Sequence, residues 1–355
     1  YMKMCPNHVS SFRGDIVLSS IVAEHIPSNK LAVVSFAVGT KYLSPSIARS
    51  DCGRGEVVRD SHAEVLTRRA FCVFLYTQVA MELSKDVKSS SFRMFRCIDN
   101  NLKLCPEFRF HLYVSTAPCG GCSIPTKDIT VLAKSLDASN SKGGCVAHTA
   151  DRVIGNSSVR LSCTNKLVRW CFLGFQGNLL SHFIPRPIRV ENVAICRKFD
   201  LTRCKRNVTD VLKRLDKTSL PCFICVPSNA SVEKICNRLD TSQEKGGDGD
   251  EVIWWAASEQ TPSRLDGRVG RPLRGCGTSF NCSRLSSLDM LLNFHAVSML
   301  TGGGSVKSSS GSSSGSSNSC VHYDEITESK KLKQCSKSLY YDEKRRELIR
   351  CWCGG

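Results

Sequence analysis

The stretch Arg59–Phe71, RDSHAEVLTRRAF, decides how this chain is read. His62 and Glu64 stand two residues apart where a helical apolar pattern begins, and the adjacent pair Arg68 and Arg69 follows about two turns later. The pattern predicts a helix from Asp60 or Ser61 to about Glu82, with His62 in its first turn. A histidine placed there can point at a metal lying between two helix N-termini. Glu64 points elsewhere, yet stays close enough to bond a metal-bound water.

The rest of the chain bounds what such a site could serve. Its 355 residues suffice for a large buried core, as one large domain or two ordinary ones. The 49 Lys+Arg against 32 Asp+Glu give a formal charge of +17, which favours a polyanionic partner, with nucleic acid leading. No apolar run reaches the roughly 18 residues of a membrane span, and the first residues, YMKMCPNHVSSFRGD, show no secretory pattern. An odd count of 21 cysteines without such a signal reads as a reducing, intracellular location, in nucleus or cytoplasm. Most cysteines, Cys72 and Cys97 among them, are then expected as small buried hydrophobes.

Along the chain, KLAVVSFAVGTKYL (Lys30–Leu43) reads as one buried strand and SPSIARSDCGRGEVVRD (Ser44–Asp60) as a loop leading into the helix. FRFHLYVSTAPCGGCSIP (Phe108–Pro125) reads as a strand ending at a Pro-Cys turn, and SCTNKLVRWCFLGFQGNLLSHFI (Ser162–Ile184) as a second long helix. PIRVENVAIC and EVIWWAAS read as later strands, and the basic PSRLDGRVGRPLRG (Pro262–Gly275) as a loop, phosphate-contacting or merely solvated. Flexible insertions are expected at 239–251 and 301–320, the second a Gly/Ser tract. Alternating strands and helices point to an α/β layered fold.

His62-Ala63-Glu64 followed by Pro118-Cys119 is the pattern of a zinc deaminase: a His and two Cys hold the metal, and a Glu outside the coordination sphere moves protons. The other reading is a capping histidine and a surface glutamate. The third ligand is open, since PCGGC supplies Cys122 and LSCTNKLVRW supplies Cys163. Both cannot join one tetrahedral site that keeps a water position. Cys222 and Cys225 of PCFIC and the terminal CWCGG lack a second pair at ribbon spacing; strand-core cysteines are the expected reading of PCFIC.

DSHAEVLTRR, TAPCGGCSIP and SCTNKLVRWCFLGFQGNLLSHFI, with the upstream GTKYL, together resemble the catalytic domain shared by adenosine deaminases acting on RNA and the eukaryotic tRNA-specific adenosine deaminase. The resemblance runs from about Ser11 through the C-terminal region, leaving 1–10 as an extension and 11–355 as the domain. It implies a cytidine-deaminase-like layered α/β/α fold with a central mixed sheet and a family-specific C-terminal extension. It implies zinc on His62, Cys119 and Cys163, with Cys122 no ligand, Glu64 as proton carrier, and Thr40 and Lys41 lining the substrate cleft. The reaction implied is conversion of adenosine to inosine in RNA. The absence of a double-stranded-RNA-binding module near the N-terminus favours tRNA, next to the anticodon. Alternatives are a deaminase of double-stranded or messenger RNA, a cytidine or free-nucleoside deaminase using Cys122, and a non-catalytic RNA-binding subunit.

The two arginines raise a separate question. Arg69 lies on roughly the face of His62, with Arg68 beside it, while Lys166, Arg169 and Trp170 follow Cys163 on the second helix. A buried cluster of like charges cannot persist unless an anion neutralises it, and no acidic run stands at matching spacing. The alternative is that the arginines reach out to solvent. The resemblance names the anion as inositol hexakisphosphate, held by Arg68, Arg69, Lys166, Arg169, Trp170 and Tyr323, with Lys330 and Lys337 less clearly matched. Ser286 or Ser287 stands where that family has a lysine.

Overall fold

Strand β1 (Leu18–His25) alternates its side chains, burying Ser19, Ile21 and Ala23, and β2 (Lys30–Val38) returns antiparallel to it after a short turn. These two strands lie inside a mixed sheet in the computed structural model of the chain, which describes residues 17–51, 54–84, 93–98, 101–123, 161–215, 220–227, 251–273 and 282–301. Expectations placed on 1–10, 239–250, 302–320, Tyr323, Lys330, Lys337 and the terminal cysteines lie outside the described residues.

The remaining strands are β3 (Thr40–Tyr42), β4 (Asp60–His62), β5 (Phe95–Ile98), β6 (Asn101–Leu104), β7 (Phe108–Thr116), β8 (Asn192–Arg197), β9 (Cys222–Cys225), β10 (Glu251–Ala256), β11 (Ser263–Asp266) and β12 (Arg271–Pro272). Eight of them form one sheet in the order β12-β11-β10-β2-β1-β7-β8-β9. Only β7–β8 and β8–β9 are parallel, so the sheet is mixed as expected. The helices are α1 (Pro45–Ser50), α2 (Ala63–Leu83), α3 (Cys163–Leu173), α4 (Gly177–Leu180), α5 (Leu201–Cys204), α6 (Asp210–Leu215) and α7 (Ser287–Leu300). Free of Gly and Pro for 21 residues, α2 buries Leu66, Ala70, Phe71, Val73 and Leu75 between the sheet and α7. No described helix is long and apolar enough to cross a membrane.

Several expectations change at the level of single elements. The strand read over Lys30–Leu43 is cut at Gly39, and the helix read from Asp60 begins at Ala63, because Asp60–His62 pairs with Thr40–Tyr42 as a short ribbon. Ser44–Asp60 contains α1, and the second long helical pattern stops at Gly174 before α4. Within the stretch read as a loop from Pro262, β11 and β12 form a hairpin extending the sheet from β10, and Glu251, assigned to an insertion, opens β10 itself. Cys222 and Cys225 do lie on a strand, but β9 ends the sheet and leaves both exposed; Cys97 on β5 is exposed too, whereas Cys72 is buried.

The cut at Gly39 positions everything that follows. A Cβ there would lie 2.1 Å from the carbonyl oxygen of Ser61, and the Gly39 carbonyl accepts from Ala63 N at 2.9 Å. Only a residue without a side chain lets the entrance to α2 press this closely on the end of β2. Gly39→Ala is expected to lower stability by roughly 1–3 kcal/mol, the range for overpacking, and to loosen the entrance to α2; urea unfolding and hydrogen exchange at Ala63 measure it.

Candidate active site

His62 is the N-cap of α2 in extended conformation, and its side chain makes no capping bond. The ring instead bonds through Nδ1 to Asp60 Oδ1 at 2.7 Å, while His62 N donates to the same oxygen at 3.0 Å. With Nδ1 so engaged, Nε2 is the nitrogen left to face a metal. Asp60 and His62 fall on one side of the ribbon because side chains in a strand repeat every second residue.

The second wall is the junction of β7 with α3. Ser162 caps α3 by accepting from Asn165 N at 3.2 Å, and Cys163 N donates to Cys119 Sγ at 3.4 Å. Thr164 bolts the Pro118–Cys119 turn in place, its N reaching Cys119 O at 3.1 Å and its Oγ1 the same oxygen at 3.0 Å. Donor atoms of His62, Cys119 and Cys163 thereby lie within 4.8 Å of one another. One imidazole and two sulfurs fit a tetrahedral zinc site with a fourth position open.

Cys122, the competing candidate, does not join this group. Its N donates to Thr164 Oγ1 at 3.1 Å, and the Cys204 thiol beside it, with burial, pushes its own thiol well above the ordinary range. Within the cluster, the bond from Cys163, opposed by burial and helped by His62, lowers Cys119; the same bond, with burial, raises Cys163.

Glu64 is buried at 4% exposure in the first turn of α2. Burial pushes its carboxyl above the usual carboxylate range, with His62 pulling the other way. That suits a group that takes up and returns a proton. Thr40 and Lys41 are exposed on β3, where Thr40 pairs in register with His62 and Lys41 with Ser61.

The cations expected to converge are divided in two. Lys166 Nζ bonds Asp60 Oδ2 and donates to Tyr42 Oη at 3.0 Å, so its neutralising partner is inside the chain, contrary to the expectation of no matching acid. Burial opposes the charge of Asp60, but His62 and Lys166 hold it below the ordinary range. Arg68 lies 5.7 Å from the centre of the Trp170 ring, against Gly177, where a Cβ would meet Nη2 at 2.2 Å. Arg69 donates to Leu285 O at 2.5 Å and Ser287 Oγ at 3.5 Å; burial and the like charge of Arg68 push its pKa down. Arg68, Arg69, Cys72, Tyr76, Asn178 and Ser287 line a cavity of about 180 Å³. Arg169 is half-buried on α3 and does not line it.

Sequence reasoning missed Asp60 and Tyr42. Tyr42 donates to Leu161 O at 3.0 Å and sets its ring edge-on to His62 with centroids 4.3 Å apart. The available signal was Asp60 two residues before His62, which marks a shared face once the segment is a strand.

The family model described as an adenosine-deaminase (editase) domain matches residues 35–349. The chain belongs to that family. Among editase-domain relatives, the mouse double-stranded RNA-specific adenosine deaminase is 28% identical over 315 residues, covering 80% of this chain and 26% of the relative. The rat double-stranded RNA-specific editase B2 is 30% identical over 197 residues, 49% of this chain and 26% of its own. A Drosophila melanogaster tRNA-specific adenosine deaminase 1 is 26% identical over 204 residues, 51% of this chain and 48% of its own. The chain thus spans about a quarter of the length of the first two relatives. A solved Aspergillus oryzae Rib2 deaminase aligns at a TM-score of 0.30 and 10% identity, covering 67% of this chain and 88% of that one.

Two substitutions separate the candidate third ligands. Cys163→Ala is expected to abolish stoichiometric zinc, and Cys122→Ala to retain it, by elemental analysis of the purified proteins.

Proposed function

We propose that the protein hydrolytically deaminates adenosine to inosine in structured RNA. The observation that carries this reading is a buried glutamate, Glu64, beside the His62, Cys119 and Cys163 cluster of an editase-family domain. A zinc ion held by those three side chains would supply the Lewis acidity that makes a water acidic near neutral pH. Glu64, with its proton affinity raised by burial, takes the proton of the attacking water and delivers it to N1 of the adenine. After attack at C6 the remaining proton of that water passes to the amino group, which leaves as ammonia, and the amino group is exchanged for oxygen. Asp60 keeps the His62 ring turned so that Nε2 faces the site. Thr40 and Lys41 receive the adenosine, which must leave its stack to reach C6. A non-catalytic RNA-binding subunit would have no need of a carboxyl kept at this position.

The charge of +17 suits an RNA backbone. A tRNA substrate is supported by the tRNA-specific relative, which matches 51% of this chain. Double-stranded RNA has support from a relative that matches 80%. Total tRNA and a synthetic RNA duplex, incubated separately and analysed for inosine by mass spectrometry, distinguish the two. Glu64→Gln is expected to lower inosine formation by at least about 100-fold on either substrate while keeping zinc. Undiminished inosine would overturn the mechanism.

We also propose that Arg68 and Arg69 hold inositol hexakisphosphate. Arg68, Tyr76 and Asn178 line the cavity, and beside it Arg68 Nε, Tyr76 Oη and Asn178 Oδ1 are buried with no hydrogen-bond partner among the described residues, which supports a polar guest there. A ligand bound only by the folded form adds directly to stability. Denatured protein is expected to release the inositol phosphate into the supernatant, and Arg69→Met to yield poorly soluble protein. Active protein containing none would remove the proposal.

A further inference from the structure

Tyr42 touches both halves of the metal cluster without belonging to it. Its hydroxyl donates to Leu161 O, two residues before Cys163, and accepts from Lys166 Nζ, three residues after it, each at 3.0 Å. One oxygen thus brackets the cysteine at the start of α3. The same ring stands edge-on to His62 at 4.3 Å and pairs in register with Asp60, which holds the imidazole. Lys166 Nζ also sits 4.9 Å from the centre of that ring, so the ammonium is gripped by carboxylate, hydroxyl and ring together.

We propose that Tyr42 is a positioning residue for the metal centre, its hydroxyl fixing the Cys163 segment and its ring the His62 imidazole. The argument is geometric. Cys163 reaches the cluster only from the first turn of α3, and the extended residues before a helix can swing unless their carbonyls are tied. The Leu161 carbonyl is tied to Tyr42, on the ribbon that carries His62, so the two ligand-bearing segments move as one. Side chains that orient metal ligands typically change affinity by about 10–100-fold when removed. The inference rests on the proposed use of His62, Cys119 and Cys163 as ligands.

The test uses Co2+ as the probe, titrated into metal-free protein while the visible cobalt–thiolate absorption is followed. Tyr42→Phe keeps the ring and removes the hydroxyl; it is expected to weaken Co2+ binding by about tenfold and to shift the visible band, with an unchanged metal-free thermal midpoint. Tyr42→Leu, which also removes the ring, should weaken it further. Wild-type affinity and an identical spectrum in Tyr42→Phe would overturn the role of Tyr42 and leave the metal centre standing. A weakened site accompanied by an equally lowered metal-free midpoint would also overturn it, since Tyr42 would then be only structural. Wild-type protein forming no cobalt–thiolate band would overturn the metal centre and the inference with it.

Discussion

The carboxylate of Asp60 joins the two segments on which the site depends. One oxygen takes both the ring and the backbone N–H of His62, and the other takes the ammonium of Lys166 on α3. Such a charge survives burial only when its partners are fixed, because desolvating it costs several kcal/mol. Here the partners come from different elements, so satisfying the carboxylate and aligning β4 with α3 are one event. The acid's depressed pKa records the same fact: it stays ionised because His62 and Lys166 surround it.

This pairing also explains why the basic side chains meet different fates. Lys166 is one turn into α3 and reaches Asp60, so its charge is neutralised within the fold. Arg68 and Arg69 are farther along α2, beside α4 and the start of α7 rather than the carboxylate. Arg68 is met by the Trp170 ring and the bare backbone at Gly177, and Arg69 by a carbonyl and a hydroxyl. Dipoles and a ring face temper a charge without cancelling it. Two guanidinium groups therefore face one cavity, and the more distant Asp60 carboxylate only partly offsets the charge of Arg69.

Much of the fold was readable because its signals are local. The apolar runs of β2, β7 and β10 and the unbroken α2 declare themselves through periodicity and length, and the HAE and PC motifs mark both walls of the cluster. The single strand read through Gly39 failed for a reason periodicity cannot express: the glycine is required by the Ser61 carbonyl, which is distant in sequence. That error carried forward. Reading Asp60 as a helix start hid its place on the same side as His62, and with it the partner of Lys166. Tyr42 was hidden likewise, since its contacts at Leu161 and Lys166 lie more than a hundred residues away.

The choice between Cys122 and Cys163 shows how a short motif is overruled by the packing around it. A C-x-x-C pair serves one metal when its backbone carries both thiols toward the same point. Here residues 119–122 form a turn, the amide of Cys122 is held by Thr164 Oγ1, and its thiol lies against Cys204 on α5. Thr164 is the neighbour of Cys163, and it also holds the carbonyl of Cys119. The contacts that turn Cys122 away are thus the ones that bring Cys163 to Cys119, and a side chain docked from a distant helix takes the place that sequence spacing alone would have given to Cys122.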